Sequence, residues 1–461
     1  MKTFIILFCF AFISHSAYNQ RINFEQDSLD AVLVKAQQLN KPVFILVSGP
    51  EISKDVPRQM REQMVGSGLD HPEVTAAFNS QFVNFKAPYK SRAGNQLSNK
   101  YNIRAFPTFL YLNSDGMLIH RNHGNYSSPQ RYLSDIKVFQ DKQNSTHNLG
   151  YFREEFEKGR RDVDFLRQYL QLHKEMGVEP EAGLLDAYAG SLADAGILSF
   201  SEVIFIYEFG PVVDSRAYRY ARQDQRLVDS LYRSLPNVKR VEINNKIIGN
   251  TMRNAVELKD KRMAEHGAGF VRNTWANDRA RGQRVYLNSM LSFHRNTKDT
   301  ASYIPRAIHY YNRYFMTITQ DSAAKLVARE KQLLQERRAS GAAMAENMRD
   351  VRQHKETMAV MRFETAPSSY TMELNNAAYH MYQTGTTNKL ALNNAANWSK
   401  RTVELDPTVA YFHTYAVLLY RLEDYKGAES NIQNAIKLAK ANNIPTDWLQ
   451  ETLRKIKSRK L

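Results

Sequence analysis

The fifteen residues from Asn102 to Gly116, Asn-Ile-Arg-Ala-Phe-Pro-Thr-Phe-Leu-Tyr-Leu-Asn-Ser-Asp-Gly, limit the possible folds more than any other stretch of the chain. Pro107 has no backbone N–H, so it belongs at the first position of a strand and not inside a ladder. Thr108 to Leu112 then reads as that strand. Asn113, Ser114, Asp115 and Gly116 supply the side-chain turn bonds and the positive φ that a tight reversal needs. Met117 to His120 returns beside it. The N-terminal part of the chain must therefore accommodate an antiparallel hairpin entered through a proline.

The residues before and after this hairpin alternate between strand and helix patterns. Ile22 to Phe24 reads as a first strand. Ser28 is placed to cap a helix in which Leu29, Val32, Leu33, Ala36 and Leu39 recur at intervals of three and four. Pro42 to Val47 is a continuous apolar run, the pattern of a strand buried on both faces, and Ser48-Gly49-Pro50 ends it. Helices are expected over Val56 to Val65, from Pro72 and over Asn95 to Tyr101, with a strand over Phe82 to Phe85. Pro129 to Phe139 closes the unit as a helix.

This order of elements, with Phe106-Pro107-Thr108 entering a hairpin, resembles the thioredoxin fold over about residues 20–140. Lys41-Pro-Val-Phe44 is similar to the approach to the redox loop in exported members of that family. The resemblance implies a cis proline at Pro107 and places Pro50 and Ser53 where the family carries its two cysteines. Neither holds sulfur, so the dithiol chemistry does not carry over.

Cysteine usage points the same way. The chain's one cysteine, Cys9, lies within an apolar run from Phe4 to Ile13 that follows Lys2 and precedes Ser14, Ser16 and Ala17. Residues 1–17 therefore read as a secretory signal peptide cleaved after Ser16 or Ala17. The expected mature protein is exported, most simply to the periplasm, and owns no thiol for a disulfide, a nucleophile or a cysteine-bound metal. No later run approaches the roughly 18 apolar residues of a membrane span. The net charge of +16 invites comparison with nucleic-acid binders, but export argues against that partner. In Arg216-Ala-Tyr-Arg219-Tyr-Ala-Arg222 the spacing turns the tyrosines inward and leaves the arginines solvated.

After a polar stretch at 141–150, expected as a linker, the pattern is helical. Residues 151–361 form an expected helical domain ending in a long charge-rich helix over Ser322 to Met361, although 236–320 show no clear order. Residues 370–461 are more regular. Trp398 to Pro407 is similar to the end of a tetratricopeptide repeat, and the next unit has Ala416, Ala428 and Ala435 where two helices approach, with Tyr415, Leu419, Tyr425 and Ile432 along their seam. A looser unit begins at Leu374. The expected fold class is an α/β thioredoxin-like N-terminal domain followed by an all-α region ending in tetratricopeptide-like helical hairpins. The pairing resembles exported thioredoxin–repeat proteins of Bacteroidota type.

Three places are candidates for function. The backbone of Phe106, with Pro107 and Thr108, offers an edge to which an extended peptide can add as a strand. Asn376, His413 and Thr414 are expected on the surface that the repeats present to a protein partner. Ser53 could anchor non-thiol chemistry on the same fold, but it would need a base and an oxyanion site that no spacing supplies. His120 and His123 are too few for a metal site, and no phosphate loop or zinc motif occurs, so neither cofactor nor metal is expected. The sequence favours a non-redox scaffold or chaperone-like module that binds envelope or secreted proteins or peptides. An enzyme with repurposed chemistry near Ser53 is the alternative.

Overall fold

The computed structural model describes residues 21–49, 68–347, 361–362 and 369–461. The expected signal peptide, the helix over Val56 to Val65, Pro50 and Ser53 lie outside these residues. The described chain divides into two compact units, the first reaching Leu184 and including Met361–Arg362, the second formed by the remainder.

The first unit is a five-stranded mixed sheet with helices, the thioredoxin-like layout. Its strands are β1 (Phe24–Glu25), β2 (Val43–Ser48), β3 (Val83–Pro88), β5 (Thr108–Leu112) and β6 (Leu118–His123), in the order β1-β3-β2-β5-β6. β1 and β2 run parallel to β3, whereas β2–β5 and β5–β6 are antiparallel. Between them lie α1 (Leu29–Leu39), α2 (Pro72–Gln81) and α3 (Arg92–Lys100), and α4 (Pro129–Gln143) follows β6. Capping explains the starts: the side chains of Ser28, His71 and Ser91 accept bonds from Ala31, Glu73 and Gly94 N–H. β2 sits between two neighbours, which is why its run is apolar on both faces. Phe44 is fully buried, with its ring 4.3 Å from Phe78 and 6.0 Å from Phe109. In the hairpin turn the Asn113 side chain accepts from Asp115 and Met117 N–H, and Gly116 takes φ +77°.

The polar stretch at 141–150 is less of a linker than its composition implies. α4 continues to Gln143 and α5 (Leu149–Glu157) begins six residues later. The cause is Asn148, which is buried, donates to Lys142 and Ser145 carbonyls, and accepts from Tyr151 N–H. α6 (Val163–Met176) also belongs to the first unit. Arg121 on β6 donates from Nη1 to the carbonyls of Tyr101 and Met176, tying the end of α6 to the sheet, and Phe152 stacks against both Phe165 and Tyr169.

The second unit is helical. It begins with α7 (Leu184–Asp194), α8 (Phe200–Glu208), α9 (Arg216–Ala221) and α10 (Gln225–Ser234). In α9 Tyr220 is buried and Tyr218 half-buried, while Arg216 and Arg219 are exposed. The region the sequence left unordered resolves into α11 (Asn237–Leu258), α12 (Lys261–Asn273), α13 (Arg279–Asn296) and α14 (Thr300–Tyr311), the last running into a π-helical turn at Asn312–Met316. α15 (Gln320–Asn347) is charge-rich but packs against the unit along its first turns. Ala323 and Val327 are buried, and the Glu330 carboxylate accepts from Tyr370 N–H.

Two helical hairpins complete the unit: α16 (Tyr370–Gln383) with α17 (Lys389–Leu405), and α18 (Val409–Arg421) with α19 (Tyr425–Ala441), followed by α20 (Asp447–Lys457). Ala416, Ala428, Ile432 and Ala435 have no exposed surface, so small residues do set the approach of α18 and α19. Trp398 on α17 is fully buried, lies 5.2 Å from the Tyr311 ring, and donates from its indole to Asn312. Arg401 is also buried and directs its guanidinium to the carbonyls of Met316 and Ile318, past the end of the π turn, where cations are favoured.

Candidate functional site

The proline loop is built as the hairpin requires. The Phe106–Pro107 bond is cis, the Thr108 hydroxyl donates to Ala105 O at 2.6 Å, and Gly124 N–H donates to Pro107 O at 2.8 Å. Phe106 is buried, with the Tyr89 ring 5.5 Å away. The backbone edge offered by Ala105 and Phe106 is not vacant. This short strand, β4 (Ala105–Phe106), pairs antiparallel with β7 (Met361–Arg362), bringing Phe106 opposite Met361. Thr108 is buried too, so neither of its groups is presented to a ligand.

Behind the hairpin lies a polar cluster that the sequence did not predict. The buried Asp135 on α4 accepts two bonds from the Asn122 amide, at 3.0 and 3.1 Å, and lies 3.4 Å from His120 Nε2. Tyr126 donates to Asn122 and His123 oxygens. These groups satisfy one another, which is what burial demands of polar atoms. His120 and His123 are three residues apart on a strand and therefore face opposite sides of it. Among the described residues no group of three or more histidine, cysteine and acidic side chains is placed to hold a metal.

The helical unit contains an open groove. One cavity of about 630 Å³ is lined by Arg281, Arg284, Asn288, Tyr310, Tyr314 and Glu373 among others. A second, of about 240 Å³, is lined by Asn288, Arg295, Tyr303, Tyr311, Glu373 and Asn376 among others. Asn288 and Glu373 line both, so the two cavities form one groove with a waist at those residues. One wall is a single face of α13, since positions 281, 284, 288, 292 and 295 recur every three or four residues. The opposite wall is the face of α16 carrying Glu373, Asn376 and His380, with tyrosines of α14 forming the floor.

Arg284 is held in place by rings. Its guanidinium lies 5.2 Å from the centroids of both Tyr314 and Phe315, with Nε 3.5 Å from the Tyr310 hydroxyl. Arg281 lies 3.8 Å from the Trp275 ring. Burial raises the Glu373 carboxyl above its usual 4.5, and the charge of Arg284 opposes that rise. Burial likewise raises the hydroxyls of Tyr310 and Tyr311, with the Glu373 charge adding to the effect, and pushes Tyr303 up to about 12. His380 is lowered by burial, against the pull of its bond to Gln383, so it favours the neutral form.

The three predicted repeat-surface residues separate. Asn376 is exposed and lines the groove. His413 packs between rings, 5.0 Å from Trp448 and 6.5 Å from Tyr379. Thr414 is buried and donates to Ala410 O within its own helix, so it cannot be displayed. Arg281, Arg284, Arg295 and Glu373 were not anticipated. A signal was available: α13 carries four arginines and no aspartate or glutamate.

No protein-family model and no curated protein matches the chain. Among the described residues, no helix is long and apolar enough to cross a membrane.

Proposed function

We propose that the chain is an exported, non-redox scaffold or chaperone-like module that binds a segment of another protein in the groove between α13, α14 and α16. The open groove is the observation that carries this reading. It has the volume of a ligand site and a chemically mixed lining, in a unit whose hairpins give it a continuous core. The absence of cysteine after Cys9 removes thiol exchange, and the pairing of β4 with β7 leaves the proline edge a poorer docking place than the groove. The resemblance to exported thioredoxin–repeat proteins supports the same assignment, and the apolar N-terminal run supports export.

The test is site-specific photocrosslinking in cells that produce the full chain. A crosslinker at Asn376 should capture one defined protein, whereas the same group at Val238, which is exposed on α11, should not. Equal labelling from both positions, or none from Asn376, overturns the assignment.

A further inference from the structure

Resting on the reading of the groove as a protein-binding site, we infer that its ligand is an extended peptide with two acidic side chains six residues apart and a basic side chain between them. The argument starts from α13. Arg284 and Arg295 are eleven residues apart, close to three full helical turns, so they project from one face about 16 Å from each other. An extended peptide turns every second side chain to the same wall, so the spacing must be even, and six residues at roughly 3.3 Å each span about 20 Å, within reach of the flexible, exposed Arg295 side chain.

Neither arginine, nor Arg281, forms an ion pair with an acidic side chain among the described residues. Arg284 is nonetheless half-buried and fixed against two aromatic rings. A guanidinium immobilised before any anion arrives loses less freedom on binding a carboxylate, and its planar fork matches the two oxygens. Arg295 is exposed and marks the other end of the groove.

The waist carries the opposite sign. Glu373 lines both cavities and makes no ion pair among the described residues. Tyr310 and Tyr311 stand close enough to feel its charge. A carboxylate flanked by aromatic rings is a receptor for an ammonium or guanidinium group. It also discriminates between ligands. A nucleic acid or other continuous polyanion would bring phosphates against Glu373, whereas a peptide has neutral amides there and can place a lysine. Asn288 at the waist and Asn376 beside it supply amide donors and acceptors suited to peptide backbone.

The experiment measures binding of the full mature chain to fluorescein-labelled synthetic decapeptides by polarisation. One peptide carries glutamates six positions apart with a lysine three positions from each, so that it points to the opposite wall, in an alanine-glycine background. A second replaces the glutamates by glutamine, and a third replaces the lysine by glutamate. The first should bind at least tenfold more tightly than either of the others. R284Q and R295Q should each weaken it about tenfold or more, with R295Q guarding against a folding artefact because Arg295 is exposed. E373Q should weaken the lysine peptide and strengthen the all-acidic one, an inversion that loss of packing cannot produce.

Equal effects of E373Q on both peptides overturn the inference, as does competition by a thymidine decanucleotide at the concentration at which the first peptide competes. If crosslinking at Asn376 captures a protein while all three peptides bind alike, the charge pattern is wrong and the groove assignment stands. Failure of the crosslink removes the assignment itself.

Discussion

The two units bury aromatic side chains in opposite ways. In the first, Phe44, Phe109 and Tyr111 come from adjacent strands that alternate sides, and α2 and α4 close over them with Phe78, Tyr132 and Phe139. Strand pairing brings these rings together into one buried layer. In the second, Tyr303, Tyr311, Phe315, Tyr370 and Trp398 converge from α14, its π turn, α16 and α17, which are separated by long stretches of chain. Helices pack through ridges and grooves, and where three of them diverge a cleft remains. The strand edge that a thioredoxin-like fold exposes is paired by β7, and the gap between helices is open. The groove proposed as a binding site follows from how each kind of layer closes.

Core truncation should break this contrast most strongly. Trp398→Ala removes a fully buried indole and its bond to Asn312, and Phe44→Ala removes a fully buried ring. Each should cost about 3–5 kcal/mol in urea unfolding. Hydrogen exchange should place the loss of protection for Trp398→Ala in α14, α16 and α17, and for Phe44→Ala in β2, β3 and β5. Loss of protection spread evenly over both units would show that they do not have separate cores.

Acid should weaken the first unit through one buried histidine. Burial pushes the His173 imidazole on α6 down to about 4, whereas the unfolded chain binds that proton near 6.5. The unfolded state therefore holds more protons between those values. The stabilisation is complete above about pH 6.5 and declines as pH falls toward 4. His173→Leu should flatten that decline in thermal melts of the full chain followed by exchange in α6, and an unchanged slope would rule out this histidine as the cause.

The join between α4 and α5 inside the first unit can be probed at Asn148. Asn148→Ala removes a helix cap and two donated bonds, and should cost about 1 kcal/mol or somewhat more. A surface linker would tolerate the change with no shift in the denaturation midpoint. The smallest effect belongs to the groove. The folded state keeps the Glu373 proton to a higher pH than the unfolded chain does, so this residue's contribution falls as pH rises past 4.5 through the raised value. Glu373→Gln should therefore melt slightly higher than the parent at pH 7 and not at pH 4. Equal melting at both would show that the carboxylate is not held in a costly place.

Much of the first unit was readable because each of its devices is local. Pro107, the Asn113–Gly116 turn, the Ser28 cap and the apolar run of β2 act within a few residues of themselves, and the structure uses each of them. The hairpin of α18 and α19 was readable for a similar reason, since alanine spacing along two adjacent helices sets their approach. The helices of 236–320 were not. Pro305 lies inside α14 and Gly267 inside α12, residues that ordinarily mark breaks. At Gly267 an added Cβ would stand 2.8 Å from Thr251, so close packing with α11 requires the glycine there.

By itself the sequence determined most of the strands and helices of the first unit, the proline-led hairpin, and the lack of any thiol beyond Cys9. The tertiary structure alone decided that β7 meets Phe106, that Thr414 is interior, and that Arg284 and Glu373 share a groove. Local conformation depends on neighbours along the chain, whereas a site depends on which distant side chains packing brings together, and those distances are set only when the helices close on one another.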